Sequence, residues 1–342
     1  MKQKNNYLDF IAYAQVIGII LVVAGHSIHQ YPGFAIHLIP YRMLYSFHMP
    51  LFIFISGFLM AYTTDIYSDP RIKPGRFVLN KIKRLLLPMA VLTVITFVPR
   101  SIMSGMADDP IEFSWHSFLT SFYDRDALII PTFWYLQASF VILSLTFCIM
   151  YAGRKLRIAP GMLVATLLIV FIAYSLSSLP DIKFLSIEKV KELGMFFILG
   201  CGYALIRERV DRLIPWEKTW FLILTVVLWA ACFYAFEFTV WWPICSLLGI
   251  MMCISLAKIL EDRNLRFLDH LKGATYLIFL LSWYFNVASQ QVLSHFVALP
   301  WWCYSILSLI TGIYVPWLAY RYLSTHRDSR WVRVTSLLLG QG

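Results

Sequence analysis

Two histidines stand inside apolar runs: His26 closes the string GIILVVAGHS and His48 opens HMPLFIFISGFL. An ionisable side chain in such a run is costly, so each is a candidate for chemistry. A neutral imidazole can take a proton from a hydroxyl and return it later, which suits general-base catalysis. A helical hairpin would carry both rings to a comparable depth. Spacing alone leaves a second reading open, in which each ring caps a helix end or bonds a backbone carbonyl. A basic cluster follows at Arg71, Lys73, Arg76, Lys81, Lys83 and Arg84. Such a cluster can hold phosphates, with Arg84 at the start of a hydrophobic run as the best placed ligand. It equally fits contact with anionic lipid headgroups.

Weaker candidates follow the same logic. Trp134 and Tyr135 open an apolar run, where an interfacial belt is expected and a sugar-stacking platform is the alternative. Trp241, Trp242, Trp301 and Trp302 carry the same two readings. Asn286 and Gln290 share one helix face at i, i+4, and with Glu237 they could line a substrate cavity. Hydrogen bonding between helices is the competing role for the two amides. Ser56 and Gly57 suit close helix packing. The six cysteines lie in or beside apolar runs without disulfide or metal spacing, and no metal is expected.

These residues need a scaffold that holds them in hydrocarbon. Of 342 residues 59% are hydrophobic and 14% charged, against about 25% charged in soluble domains. A lipid environment leaves only helices or closed barrels. Long unalternated runs such as FLILTVVLWAACFYAF select helices. The expectation is an all-α, polytopic membrane bundle of about ten spans, near 9–29, 41–63, 84–103, 131–151, 160–178, 192–206, 219–236, 240–260, 274–293 and 298–320. The first run lacks a small-residue cleavage site and is expected to be retained.

Lysine and arginine crowd the loops on one side, from Lys2 and Lys4 onward. The opposite set holds only Arg42, Arg100, Arg125, Lys183, Lys189 and Lys191. That asymmetry puts both termini in the cytoplasm. It also accounts for the net charge of +10 without nucleic acid as a partner. The longest outer loop, about 104–130, carries Asp108, Asp109, Glu112, His116, Asp124 and Asp126, which reads as a solvated acidic loop or a substrate contact. No repeat or soluble insertion is visible, so 1–342 is expected to be one transmembrane domain, with a cytoplasmic tail at about 321–342.

The segments GIILVVAGHS, FHMPLFIFISGFL, KIKRLLLPM, FWYLQASF and GMFFILGCGYAL resemble, in order, landmarks of the membrane-bound acyltransferase 3 family, and most closely its fucose 4-O-acetylase-related branch. The resemblance implies transfer of an acyl group, usually acetyl from acetyl-CoA, to a hydroxyl of a surface polysaccharide or lipid-linked glycan. It implies ten spans in a bacterial inner membrane, with His26 as the essential group and Lys81 and Arg84 as the basic donor-binding pair. Membrane lipids and glycan synthesis or export machinery would be the partners. Two positions depart from the pattern. Gln15 stands where relatives carry a basic residue eleven positions before the histidine, and it can hold the donor by hydrogen bonding only. Ser282 stands where many have a late histidine.

From helix rise, His26 lies roughly 24 Å beyond Phe10, towards the outer face. A cytoplasmic donor would then need a passage into the bundle. Two rival readings use the same composition: a transporter or flippase of a lipid-linked sugar or small solute, and an inactive relative. Nucleotide-binding loops, dinucleotide fingerprints, H-E-x-x-H and G-x-S-x-G strings do not occur, so ATP-driven, redox and serine-hydrolase chemistry lack their usual signatures.

Overall fold

A computed structural model describes residues 8–29, 39–64, 66–67, 72–102, 111–236, 242–293 and 296–341. Lys2, Lys4, Arg71, Asp108, Asp109, Glu237 and Trp241 lie outside the described residues. The described chain is all-helical, with one isolated backbone bridge between Asp124 and Phe184. In order, the helices are α1 (Asp9–His29), α2 (Ile39–Tyr45), α3 (His48–Thr63), α4 (Pro74–Lys81), α5 (Leu87–Ile102), α6 (Trp115–Thr120) and α7 (Trp134–Lys155). There follow α8 (Pro160–Leu176), α9 (Ile187–Leu213), α10 (Thr219–Phe236), α11 (Trp242–Asp262), α12 (Thr275–Val287), α13 (Trp301–Thr325) and α14 (Arg330–Leu338).

Among the described residues the ten expected hydrophobic runs lie largely on helix, although 298–300 precede α13. Among the described residues six helical stretches are long and apolar enough to cross a membrane: Asp9–Ile28, Ile39–Thr63, Pro74–Ile102, Pro131–Lys155, Trp242–Asp262 and Trp301–Thr325. Pro160–Leu176 and Thr219–Ala235 are apolar but shorter.

The second and third runs are interrupted where continuous helix was expected. The second breaks between α2 and α3, because Pro50 has no N–H to give the Ser46 carbonyl four residues back. That carbonyl is taken by the Ser246 hydroxyl at 2.6 Å. The third starts earlier than expected, at Pro74, and opens into a π-helical turn at Ile82–Leu86. Pro88 likewise has no N–H for the carbonyl of Arg84, and the Leu87 N–H bonds Ile82 five residues back. A second π-helical turn, Ala288–Val292, extends α12.

The chain forms two compact units. The first comprises Met1–Ile55 and Ile206–Tyr322. Here α1 packs against α2, α11 and α12, and α10 against α11. The start of α1 is tied by a charged cluster: Lys272 bonds Asp9 at 3.1 Å and Asp269 at 2.8 Å. Its ammonium also lies 3.6 Å from the Tyr13 ring centroid, and the Tyr13 hydroxyl donates to Asp269. Burial works against the Lys272 charge. Its bonds to Asp269, Asp9 and Tyr13 outweigh that and hold its pKa above the ordinary lysine value. Asp269 is held below its ordinary value by Lys272 first and Tyr13 second.

The second unit comprises Ser56–Leu205 and Leu323–Gly342. Gly57 of α3 lies so close to α9 that a Cβ there would stand 1.9 Å from the Phe197 carbonyl oxygen. The Cys201 thiol, one turn further along α9, donates to the Gly57 carbonyl. The described acidic residues of the long loop are largely paired within the protein. Arg125 meets buried Glu188 at 3.1 Å and Asp126 at 3.2 Å, Lys183 meets Asp126, and Asp124 caps the turn Arg125–Ala127.

Two outcomes are expected. Gly57→Ala forces backbone apart and should cost about 1–3 kcal/mol, read as a lowered unfolding temperature in detergent while Ser56→Ala stays near wild type. The Lys272 cluster should give pH-dependent stability. The Asp269 contribution is present above the ordinary carboxylate value and is lost as pH falls through its depressed pKa. The Lys272 contribution is present below the ordinary lysine value and is lost as pH rises through its raised one. Lys272→Met should therefore flatten both limbs of a melting-temperature against pH curve.

Candidate active site

The last turn of a helix leaves carbonyls without intrahelical donors. In α1 one of these belongs to Ser27, the neighbour of His26. It accepts from the Gln290 amide of the second π turn and from the Ser305 hydroxyl of α13 at 3.2 Å. The end of α1 that carries His26 is thus clamped by two further elements. Gly25 supplies the room beside it: a Cβ there would stand 3.1 Å from the Tyr45 ring.

Tyr45 uses that room. Its hydroxyl lies 3.4 Å from His26 Nδ1, with the two rings edge to face. On its other side Tyr45 meets His48 in a T-shaped pair, centroids 4.5 Å apart. The hairpin therefore assembles His26, Tyr45 and His48, with the tyrosine contacting both imidazoles. His26 is half-buried. His48 is 1% exposed and its Nδ1–H donates to the Leu44 carbonyl at 2.6 Å. That bond fixes the His48 tautomer and occupies the carbonyl beside the helix break. Of the two roles open for His48, backbone bonding is the one its geometry displays. For His26, an Nδ1–H donating to Tyr45 leaves Nε2 as the basic nitrogen.

Gln15 lies eleven residues before His26 on nearly the same face of α1, about 16 Å away along the axis, and is half-buried. Asn286 is fully buried against Ser308 at 2.8 Å. With its amide nitrogen turned to Ser308 it also reaches the carbonyls of Ser308 and Ser282, the orientation its partners require. It thus bonds α12 to α13, where Gly312 leaves it space. Ser282 is buried in the same place.

In the second unit, Lys81 lies over the Phe77 ring at 4.9 Å, and Phe77 stacks on Phe147 of α7 at 3.8 Å. Arg84 is exposed on the π turn. Trp134 faces the Lys189 ammonium at 5.7 Å, and the Tyr135 hydroxyl lies 3.2 Å from Ser56. Trp134 is thirteen residues, or about 20 Å of helix, from the Phe147 contact, so the aromatic pair and the basic pair attach to distant parts of α7. Among the described residues no cluster of three or more His, Cys, Asp or Glu could hold a metal.

The profile of the acyltransferase domain of acyltransferase 3 proteins matches residues 6–321. The chain belongs to the acyltransferase 3 family. No curated protein and no solved structure matches it. As a multi-pass membrane protein of this acyltransferase family, it carries both Tyr45 and the clamp on Ser27 beyond the residues that its sequence singles out. The signals for Tyr45 were the small residue before His26 and the proline after His48. Tyr45→Phe keeps the packing but removes the hydroxyl. It should lower turnover about three- to tenfold, the worth of one hydrogen bond, at unchanged melting temperature. Gly25→Val should lower it further by displacing the ring.

Proposed function

We propose that the protein is an O-acyltransferase of a bacterial inner membrane, moving an acetyl group from acetyl-CoA to a hydroxyl of a surface polysaccharide or lipid-linked glycan, in the manner of the fucose 4-O-acetylase-related branch. About ten spans with both termini in the cytoplasm fit the basic loops and the helices that carry the hydrophobic runs. The observation that carries the reading is His26, at the clamped end of α1, with Tyr45 against Nδ1.

In the reaction, Nε2 of His26 takes the proton of the acceptor hydroxyl as its oxygen attacks the thioester carbonyl. The new C–O bond forms, the C–S bond breaks, and the CoA thiolate leaves with a proton returned to it. Arg84, with Lys81 and the hydrogen-bonding Gln15, is assigned to the donor, the arginine pairing with CoA phosphate by charge-assisted hydrogen bonds. Trp134 and Tyr135 are assigned to the acceptor as a stacking surface. Asn286 is assigned to the acceptor side, where it also holds α12 to α13. Membrane lipids and glycan synthesis or export machinery are the partners this reading calls for.

The test uses protein in lipid nanodiscs, labelled acetyl-CoA and a membrane glycolipid extract. His26→Ala is expected to reduce label transfer about 10²- to 10⁴-fold without loss of folding. Transfer that survives His26→Ala would remove the base assignment. Absence of both transfer and CoA binding in the wild type would turn the reading to a transporter or an inactive relative.

A further inference from the structure

The C-terminal helix α14 packs on α5, and beyond its last turn the chain makes an unusually close contact. Gly340 has φ +68, a conformation that side chains disfavour. A Cβ at Gly340 would stand 2.6 Å from the Arg84 carbonyl oxygen and 2.9 Å from the Pro88 ring. Two independent constraints, one conformational and one steric, thus require glycine at one position. The group it rests on is the π turn, where Pro88 has no N–H for the Arg84 carbonyl and the Arg84 side chain is exposed with those of Ile82 and Lys83. Val332, buried on the protein-facing side of α14, anchors the helix.

We propose that α14 is a positioning element for Arg84, with Gly340 the residue that seats it on the π turn. This rests on the reading of Arg84 as a donor ligand. A π turn is a seldom used geometry that is frequent at functional sites. Returning it to ordinary helix would redirect the Arg84 guanidinium by changing the turn angle. The seated glycine backbone blocks that movement, because the Arg84 carbonyl and the Pro88 ring have Gly340 packed directly on them.

The experiment compares acetyl-CoA kinetics of the full chain in nanodiscs for wild type, Arg84→Ala, Gly340→Val and Val332→Ser. Arg84→Ala tests the donor reading alone. Gly340→Val is expected to raise KM for acetyl-CoA about tenfold, the loss of one charge-assisted hydrogen bond, with kcat within about twofold. Val332→Ser loosens α14 without a clash at Arg84 and should raise KM in the same direction. An increase in KM for Arg84→Ala without one for either folded α14 variant overturns the positioning role. No effect of Arg84→Ala overturns the donor assignment instead. On the unaltered chain, CoA is expected to slow amide exchange across 330–340, and unchanged exchange there counts against the proposal even where a variant fails to fold.

Discussion

In hydrocarbon, a backbone carbonyl that loses its helical donor must find another partner inside the protein. Pro99 and Pro316 create that situation inside α5 and α13, and it falls beside candidate residues where Pro50 stands opposite the Ser46 carbonyl and Pro88 opposite that of Arg84. The Ser46 carbonyl is met by a hydroxyl from α11, Ser246. Around that of Arg84, the helix widens to i→i−5 bonding. Both interruptions sit beside side chains with chemical potential: His48 begins the helix after the first, and Arg84 lies within the second. The same demand operates at the end of α1, where Gln290 and Ser305 supply the donors that Ser27 lacks within its helix.

An active-site side chain on a regular helix is held only by its rotamer. One at an interruption is held also by whatever satisfies the backbone there. His48 shows the economy of this, since its ring bonds the Leu44 carbonyl and also forms one wall against Tyr45. Tyr45 in turn meets His26. The tautomer of one buried ring and the position of the proposed base are therefore linked through a single tyrosine seated on Gly25.

The departure at Gln15 has a structural setting. The first half of α1 has no basic residue of its own within the membrane run, yet two cations, buried Lys258 and half-buried Lys272, lie against it. Lys272 covers Tyr13, and Lys258 lies 4.8 Å from the Phe10 ring while paired with Asp211 at 2.6 Å. Both are matched by carboxylates and secure the helix.

Much of this was legible from residue order. Long unalternated apolar runs in lipid form helices, so the helical class and the approximate position of the runs followed from hydropathy, and GIILVVAGHS singled out His26. The family resemblance was equally a property of linear strings. Other features depend on partners distant in sequence. That Ser46 would be rescued by Ser246, that Tyr45 would stand between two histidines, and that Gly340 would rest on Arg84 are contacts of helices brought together by packing. Asn286 makes the difference plain. Its spacing with Gln290 marked one polar face, but that face has two uses, and only the approach of α13 decided that its amide bonds Ser308. Periodicity determines which side of a helix is polar; the neighbouring helix determines what that polarity does.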